Sequence, residues 1–215
     1  MSYADLEKNK LRISFTFDDG PNTRTSVQIL DLLKSHGIRA SFFLIGQNIT
    51  EESKSTIRRE IDEGHTVECH SWTHPAFPDL TREQMISEVK RTNELIESCT
   101  GIPPMFFRPP YIALNDLMFE TINMPFICGQ GVNDWEDNVS ADERCRLLLE
   151  NVRDGQIILL HDTDGNSQTV EALKKAIPVL KERGAEFFTV RDLFKTCGVN
   201  PIRPASEKKI WTNLF

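Results

Sequence analysis

The chain has 215 residues and a formal charge of −7, from 32 acidic against 25 basic side chains. That length suits one domain with a sizeable core, and the negative balance repels a phosphate backbone or an anionic bilayer, so neither nucleic acid nor membrane is an expected partner. No apolar run reaches a bilayer span and the opening MSYADLEKNK lacks a basic start with an apolar stretch, so the chain reads as cytoplasmic, or as secreted if a leader has been removed.

The first strand-like run, LRISFTF (11–17), runs into Asp18-Asp19-Gly20-Pro21. Turn chemistry alone accounts for such a sequence, but it leaves two adjacent carboxylates repelling each other. A helix follows from near Ser26, with Ile29, Leu30, Leu32 and Leu33 inward, and stops at Gly37. RASFFLI (39–45) is the next strand, a helix covers 52–63, and HTVEC (65–69) is the third strand. After it comes HSWTHP, with His70 and His74 four apart; Pro75 keeps His74 out of a helix, so this is a loop. Read by itself, such a pair is most simply two solvated or core histidines.

Thr81 to Gln84 matches a capping box and announces a long helix. MFFR (105–108) and PFIC (125–128) are strands around a helix over 114–122, and Ser140 to Glu143 announces a further helix. QIILL (156–160) ends at His161, a helix covers 169–183, AEFFTV (185–190) is the last strand, and a short helix lies near 191–196. The tail from Gly198 reads as an irregular extension whose end, IWTNLF, packs back on the body or on another subunit, the first being the simpler reading. The five cysteines, Cys69, Cys99, Cys128, Cys145 and Cys197, are odd in number and without a CxxC pair, and read as reduced thiols. Alternating near-continuous apolar strands and amphipathic helices imply an α/β fold on a parallel sheet, either a closed barrel or an open doubly wound sheet.

Polar residues gather where these strands end: Asp18 and Asp19, His70, Arg108, Asp134 with Trp135 just beyond the fifth strand, and His161. Parallel α/β folds place ligand sites at that edge, so residues distant in sequence converge there. Two imidazoles and one carboxylate, Asp19, suit a divalent metal with positions left open, and the cation relieves the Asp18–Asp19 repulsion. Asp18 is then free to act as a base. Its ordinary value near 3.9 lies about 12 units below that of bulk water, but only about 3 to 5 below that of metal-bound water. Arg108 can orient Asp18 and keep it ionised, His161 can protonate a leaving group, and Asp134 can raise and orient His161.

Taken in order, TFDDG (16–20), HSWTH (70–74), RPPY (108–111), NDW (133–135) and LLH (159–161) resemble the motifs of the NodB-homology polysaccharide deacetylases, carbohydrate esterase family 4. The resemblance runs from about Leu11 to Phe194. It implies a distorted barrel of the (β/α)7 type over 1–197, leaving 198–215 as a C-terminal extension. It also implies one divalent metal, zinc with cobalt or nickel as substitutes, and hydrolytic removal of acetyl groups from a carbohydrate. By position it makes Asp18 the base, Asp19, His70 and His74 the metal ligands, Arg108 the brace of the base, and Asp134 and His161 the acid and its partner. Tyr111 matches the position whose backbone amide helps to hold the oxyanion, and Trp135 and Leu159 match the wall around the acetyl methyl.

One position departs from the pattern: where many members carry an extra aspartate three residues before the Asp-Trp pair, this chain has Gly131. The stretches ICGQGVNDWED and VRDGQIILLHD look more like the acetyl-xylan-esterase branch found with clostridial xylan-degrading enzymes than like chitin deacetylases. The expected substrate is therefore acetylated xylan or xylo-oligosaccharide, cleaved at an O-acetyl ester. The alternatives are N-deacetylation of GlcNAc-containing glycans, chito-oligosaccharide or peptidoglycan, and hydrolysis of a small non-sugar amide.

Overall fold

The computed structural model describes residues 10–215. Among them, strands β1 (Leu11–Asp18), β2 (Ser41–Leu44) and β3 (Thr66–Cys69) alternate with helices α1 (Thr25–His36) and α2 (Lys54–Asp62). Then come α3 (Arg82–Thr100), α4 (Asp116–Thr121), β4 (Phe126–Ile127), β5 (Gln130–Gly131) and α5 (Ala141–Asn151). β6 (Gln156–His161), α6 (Ser167–Glu182), β7 (Ala185–Phe187), α7 (Val190–Thr196) and β8 (Ile210–Trp211) complete the order. The strands pair in parallel as β3-β2-β1-β6-β5, and β7 joins the first residues of β1, Leu11 to Ile13, where β2 has not yet begun.

The expected fourth strand, 105–108, contracts to one residue, Phe107, bridged to Cys69 on one side and Phe126 on the other. Pro103, Pro104, Pro109 and Pro110 flank it and donate no backbone hydrogen, so a longer ladder has no room to grow. The expected fifth strand, 125–128, shortens to β4, and past Gly129, which has a φ of 103°, a further short strand, β5, follows that was not expected from the sequence. A cyclic arrangement results, because β4 also pairs with β8 and Asn213 bridges antiparallel to Gln156 at the start of β6. The tail, expected to be irregular, thus supplies a strand: Cys128 N donates to Trp211 O (2.8 Å) and Leu214 N to Gly155 O (2.9 Å).

Alternation along β1 separates two environments. Ile13, Phe15 and Phe17 pack with Ile29, Leu30, Leu33, Phe42 and Leu160 under the helices. The other face carries Ser14, Thr16 and Asp18, all buried. Deeper in the barrel, Phe43, Phe106, Ile127 and Ile157 meet Phe194 and Trp211, so α7 and the tail plug the end of the barrel remote from the strand C-termini. Phe106 stacks on Phe194 at 5.4 Å, and Trp211 meets Phe194 edge-on at 5.1 Å.

The helix signals act as their chemistry dictates. Thr81 and Gln84 form both bonds of a capping box, Ser140 accepts from Glu143 N, and Gly37 closes α1 in the left-handed conformation. Cys69, next to His70, points the other way into the Phe77–Phe107 core, where burial pushes its thiol up to about 12. Among the described residues no helix is long and apolar enough to cross a membrane.

Candidate active site

Register does much of the assembly. Asp18 pairs with His161 across β1 and β6, and β3 delivers His70 two strands away. Just past β1 the chain turns sharply, with Asp19 at a φ of 77°. A side chain at Gly20 would crowd this turn: a Cβ there would lie 2.6 Å from Asp162 Oδ2, a buried carboxylate that also accepts from Ser26 Oγ, and Asp162 would have to shift. Burial pushes Asp162 up to about 7, against the Ser26 hydrogen bond and with the charges of Asp19 and Asp18.

The adjacent aspartates have different partners. Asp18 Oδ1 takes Arg108 Nη1 at 2.5 Å, while Arg108 Nη2 donates to Thr16 Oγ1 at 2.8 Å. The guanidinium is fully buried and lies 4.2 Å from the Phe43 ring centroid. Burial raises the Asp18 carboxyl, with Arg108 and His161 pulling in the opposite direction. Asp19 faces the histidines instead: Oδ1 lies 3.6 Å from Nε2 of both His70 and His74. Its other oxygen accepts from Thr163 Oγ1 at 2.9 Å, and its backbone carbonyl from Asn48 Nδ2 at 2.8 Å.

Asp19, His70 and His74 offer ligand atoms that all lie within 4.8 Å of one another. Asp19 Oδ1 is buried and accepts no hydrogen bond. A buried carboxylate oxygen that no protein donor satisfies, set between two imidazoles, is a position that a cation can complete. His70 is prepared for it, because Nδ1 bonds the Arg108 carbonyl at 2.7 Å, which places the hydrogen there and leaves the Nε2 lone pair toward Asp19. Burial, against the attraction of Asp19, holds His70 down at about 3, so the ring is neutral. These residues fit a divalent ion.

On the other side, Asp134 is wholly enclosed. Its Oδ1 bonds His161 Nδ1 at 2.8 Å, and its Oδ2 accepts both His161 N (2.7 Å) and Thr169 Oγ1 (2.9 Å). Burial disfavours charge on His161, but the Asp134 hydrogen bond and the charges of Asp134, Asp18 and Asp19 lift the ring to about 9. Trp135 stands edge-on to His161 at 5.7 Å and is half exposed. Leu159 is buried on β6, in register with Thr16 of β1 and Gly131 of β5. Tyr111, 70% exposed, takes a left-handed backbone (φ 58°) beside His74, ring centroids 4.6 Å apart.

Asp18, Asp19, His70, His74, Arg108 and Tyr111 are thus joined by direct contacts, Asp134, Trp135 and His161 form a second set beside Asp18, and Leu159 lies two residues before His161 on β6. Gly131 has a physical consequence there, since a Cβ on it would sit 3.0 Å from the Trp135 ring, so a side chain at this position requires the indole to move. Thr16, which opens the TFDDG motif, and Thr163, Thr169 and Asn166, which belong to none of the motifs, hold the site residues in place. A groove of about 650 Å³ runs from Asp19 and His74 between Asn22, Arg24, Gln47 and Asp164.

The class this fold and site define is an α/β barrel protein with a two-histidine, one-carboxylate cradle for a divalent ion beside a second, arginine-braced aspartate. The chain belongs to the polysaccharide deacetylase family, the NodB-homology carbohydrate esterases of family 4, whose model, described as Polysaccharide deacetylase, matches residues 5–124. It is 44% identical over 207 residues, 96% of its length, to a bifunctional xylanase/deacetylase of Pseudobutyrivibrio xylanivorans. It covers only 34% of that relative, about a third. A peptidoglycan-N-acetylglucosamine deacetylase of Bacillus cereus is 37% identical, matched over 87% of this chain and 70% of the relative. A family 4 acetyl xylan esterase of Clostridium thermocellum, solved in complex with a cobalt ion, superposes with a TM-score of 0.90 at 34% identity, covering 94% of this chain and 98% of that one.

Proposed function

We propose that this chain is a metal-dependent hydrolase that removes acetyl groups from a carbohydrate, with acetylated xylan or xylo-oligosaccharide esters as favoured substrates. Asp19, His70 and His74 would hold the ion, zinc by choice, with cobalt or nickel able to replace it. When bound, a divalent ion there supplies Lewis acidity and brings the pKa of water toward neutrality.

The remaining work falls to side chains. Asp18, anchored through Oδ1 to Arg108, keeps Oδ2 free on the histidine side, 3.8 Å from His70 Nε2, to take a proton from the attacking water. The water oxygen bonds to the acetyl carbon, and the backbone amide of Tyr111 would share the developing negative charge. As the bond from that carbon to the sugar oxygen breaks, His161 gives its proton to the departing oxygen, and acetate remains. Asp134 orients His161 and holds it charged. Leu159 and Trp135 wall the space for the methyl group.

The observation that carries this reading is the division of the aspartate pair: one carboxylate tied to a buried arginine, the other leaving an unpartnered oxygen between two imidazoles. The xylanase and acetyl-xylan-esterase names of two relatives support the ester substrate. His161, lifted to about 9, also suits expulsion of an amine, and with the peptidoglycan deacetylase relative this supports a second reading, N-deacetylation of GlcNAc-containing glycans. Acetate release from acetylated xylo-oligosaccharides and from chito-oligosaccharides, with Asp18→Asn as control, decides between them. Release from the second alone reverses the order, and release undiminished in Asp18→Asn removes the mechanism.

A further inference from the structure

The two imidazoles of the cradle stand at the ends of a five-residue loop, His70 to His74, in which Ser71 (φ 69°) and His74 (φ 60°) are both left-handed. Residues other than glycine rest in that region only when their surroundings hold them there. One side of the loop is held by backbone: Gly46 N donates to Ser71 O at 2.9 Å, and Gln47 N to Trp72 O at 3.1 Å. Within it, His74 N donates to Ser71 Oγ at 3.1 Å.

The other side is held by one side chain from α3, a helix that contributes none of the ten site residues. Glu88 Oε2 accepts the backbone N–H of both Trp72 and Thr73, each at 2.8 Å. Its Oε1 accepts the Thr73 hydroxyl at 2.9 Å. Two amides converging on one ionised oxygen form charge-assisted bonds, stronger than neutral ones. Trp72 is wedged by the same arrangement: the Arg91 guanidinium lies 4.1 Å from its ring, and a Cβ on Gly46 would come within 2.4 Å of it.

We propose that Glu88 is a positioning residue for the metal centre, clamping the loop between the two histidine ligands so that their Nε2 atoms face Asp19 before any ion arrives. The inference rests on the reading of Asp19, His70 and His74 as ligands. Glu88 touches neither the ion nor the substrate. Its effect therefore falls on affinity for the ion, because without the clamp binding must also order the loop, whereas the occupied centre keeps its three ligands and its base.

The test uses Glu88→Ala, Glu88→Gln and Thr73→Val in the full chain, with zinc dissociation constants measured by competition with a chromophoric chelator. Turnover at saturating zinc and melting temperatures of metal-free and zinc-loaded protein complete it. Glu88→Ala is expected to weaken zinc binding about 10-fold or more and to shrink the zinc-induced rise in melting temperature, with kcat at saturating zinc nearly unchanged. Glu88→Gln, whose amide oxygen can still accept both N–H groups while its amide donates to Thr73, falls between Glu88→Ala and wild type. A dissociation constant within about 2-fold of wild type in Glu88→Ala overturns the proposal, including when the metal-free protein melts lower. Should Glu88→Ala fail to fold, Glu88→Gln and Thr73→Val decide in the same way, by weakened or unchanged affinity. Wild-type chain that binds no zinc brings down the ligand assignment itself, a result distinct from equal binding by wild type and variant.

Discussion

Replacing Asp134 by asparagine isolates the charge behind the proton donor. In the native chain the Asp134 hydrogen bond and the field of Asp134, Asp18 and Asp19 overcome burial and lift His161 to about 9. A raised value means the ring is protonated, and fit to donate, at every pH below about 9; activity fails on the alkaline side. Asparagine keeps the shape and removes the charge, so the ring falls toward its ordinary value of about 6.5, since burial is then opposed only by the lesser pull of Asp18 and Asp19. Near pH 8 the protonated fraction then drops from about nine-tenths to about three-hundredths, a loss of ~30-fold. The amide also turns hydrogens toward one of the donors that Asp134 satisfies, at a cost of about 1–3 kcal/mol in stability. The assay is kcat/KM against pH on an acetylated oligosaccharide and on an activated aryl acetate, whose leaving group needs no proton. We expect the alkaline limb to move down by ~2.5 units on the sugar and the aryl ester to be nearly indifferent. A limb that stays in place, or equal losses on both substrates, would refute the reasoning.

Three further outcomes follow from the same geometry. Asp18→Asn keeps zinc at one equivalent, because Asp18 is outside the ligand set, yet loses about 10²- to 10⁴-fold in kcat; metal analysis beside acetate release checks both halves. Arg108→Met leaves a buried carboxylate without its cation and destabilises the protein by about 3–5 kcal/mol, read as a lowered urea midpoint; an unchanged midpoint would show that the pair contributes nothing. Trp211→Ala removes a buried indole from the plug and costs about 3–5 kcal/mol, while zinc affinity at the opposite end of the barrel is expected to hold.

The chemistry was more legible in the sequence than the sheet. Asp18, Asp19, His70, Arg108 and His161 sit at or next to the ends of apolar runs, and parallel strands carry such positions to one edge whatever the exact strand lengths. Periodicity could not choose between a barrel and an open sheet, because that choice depends on how the ring closes, at Phe107 and at the β4–β8 pair. One- and two-residue pairings leave no periodic trace, and IWTNLF reads as strand only once β4 is seen to lack a neighbour. The holding contacts were hidden for another reason. Thr163, Thr169 and Asn166 are ordinary helix-entry residues by composition, and apart from the His161 carbonyl, five positions from Asn166, the site residues they hold lie 32 to 144 positions away.

Ring closure also bears on the order of events during synthesis. Ile127 meets Trp211 across 84 positions, so a nascent chain can lay down β1, β2, β3 and their helices long before the segment that seals the seam has left the ribosome. Until then β4 and the start of β6 present bare hydrogen-bonding edges, the kind that recruit neighbours and seed aggregates. A translation arrest or frameshift shortly before Ile210 would therefore yield a chain with a complete set of catalytic side chains that is prone to precipitate, and yield of soluble protein, not turnover, is where such damage would first be seen.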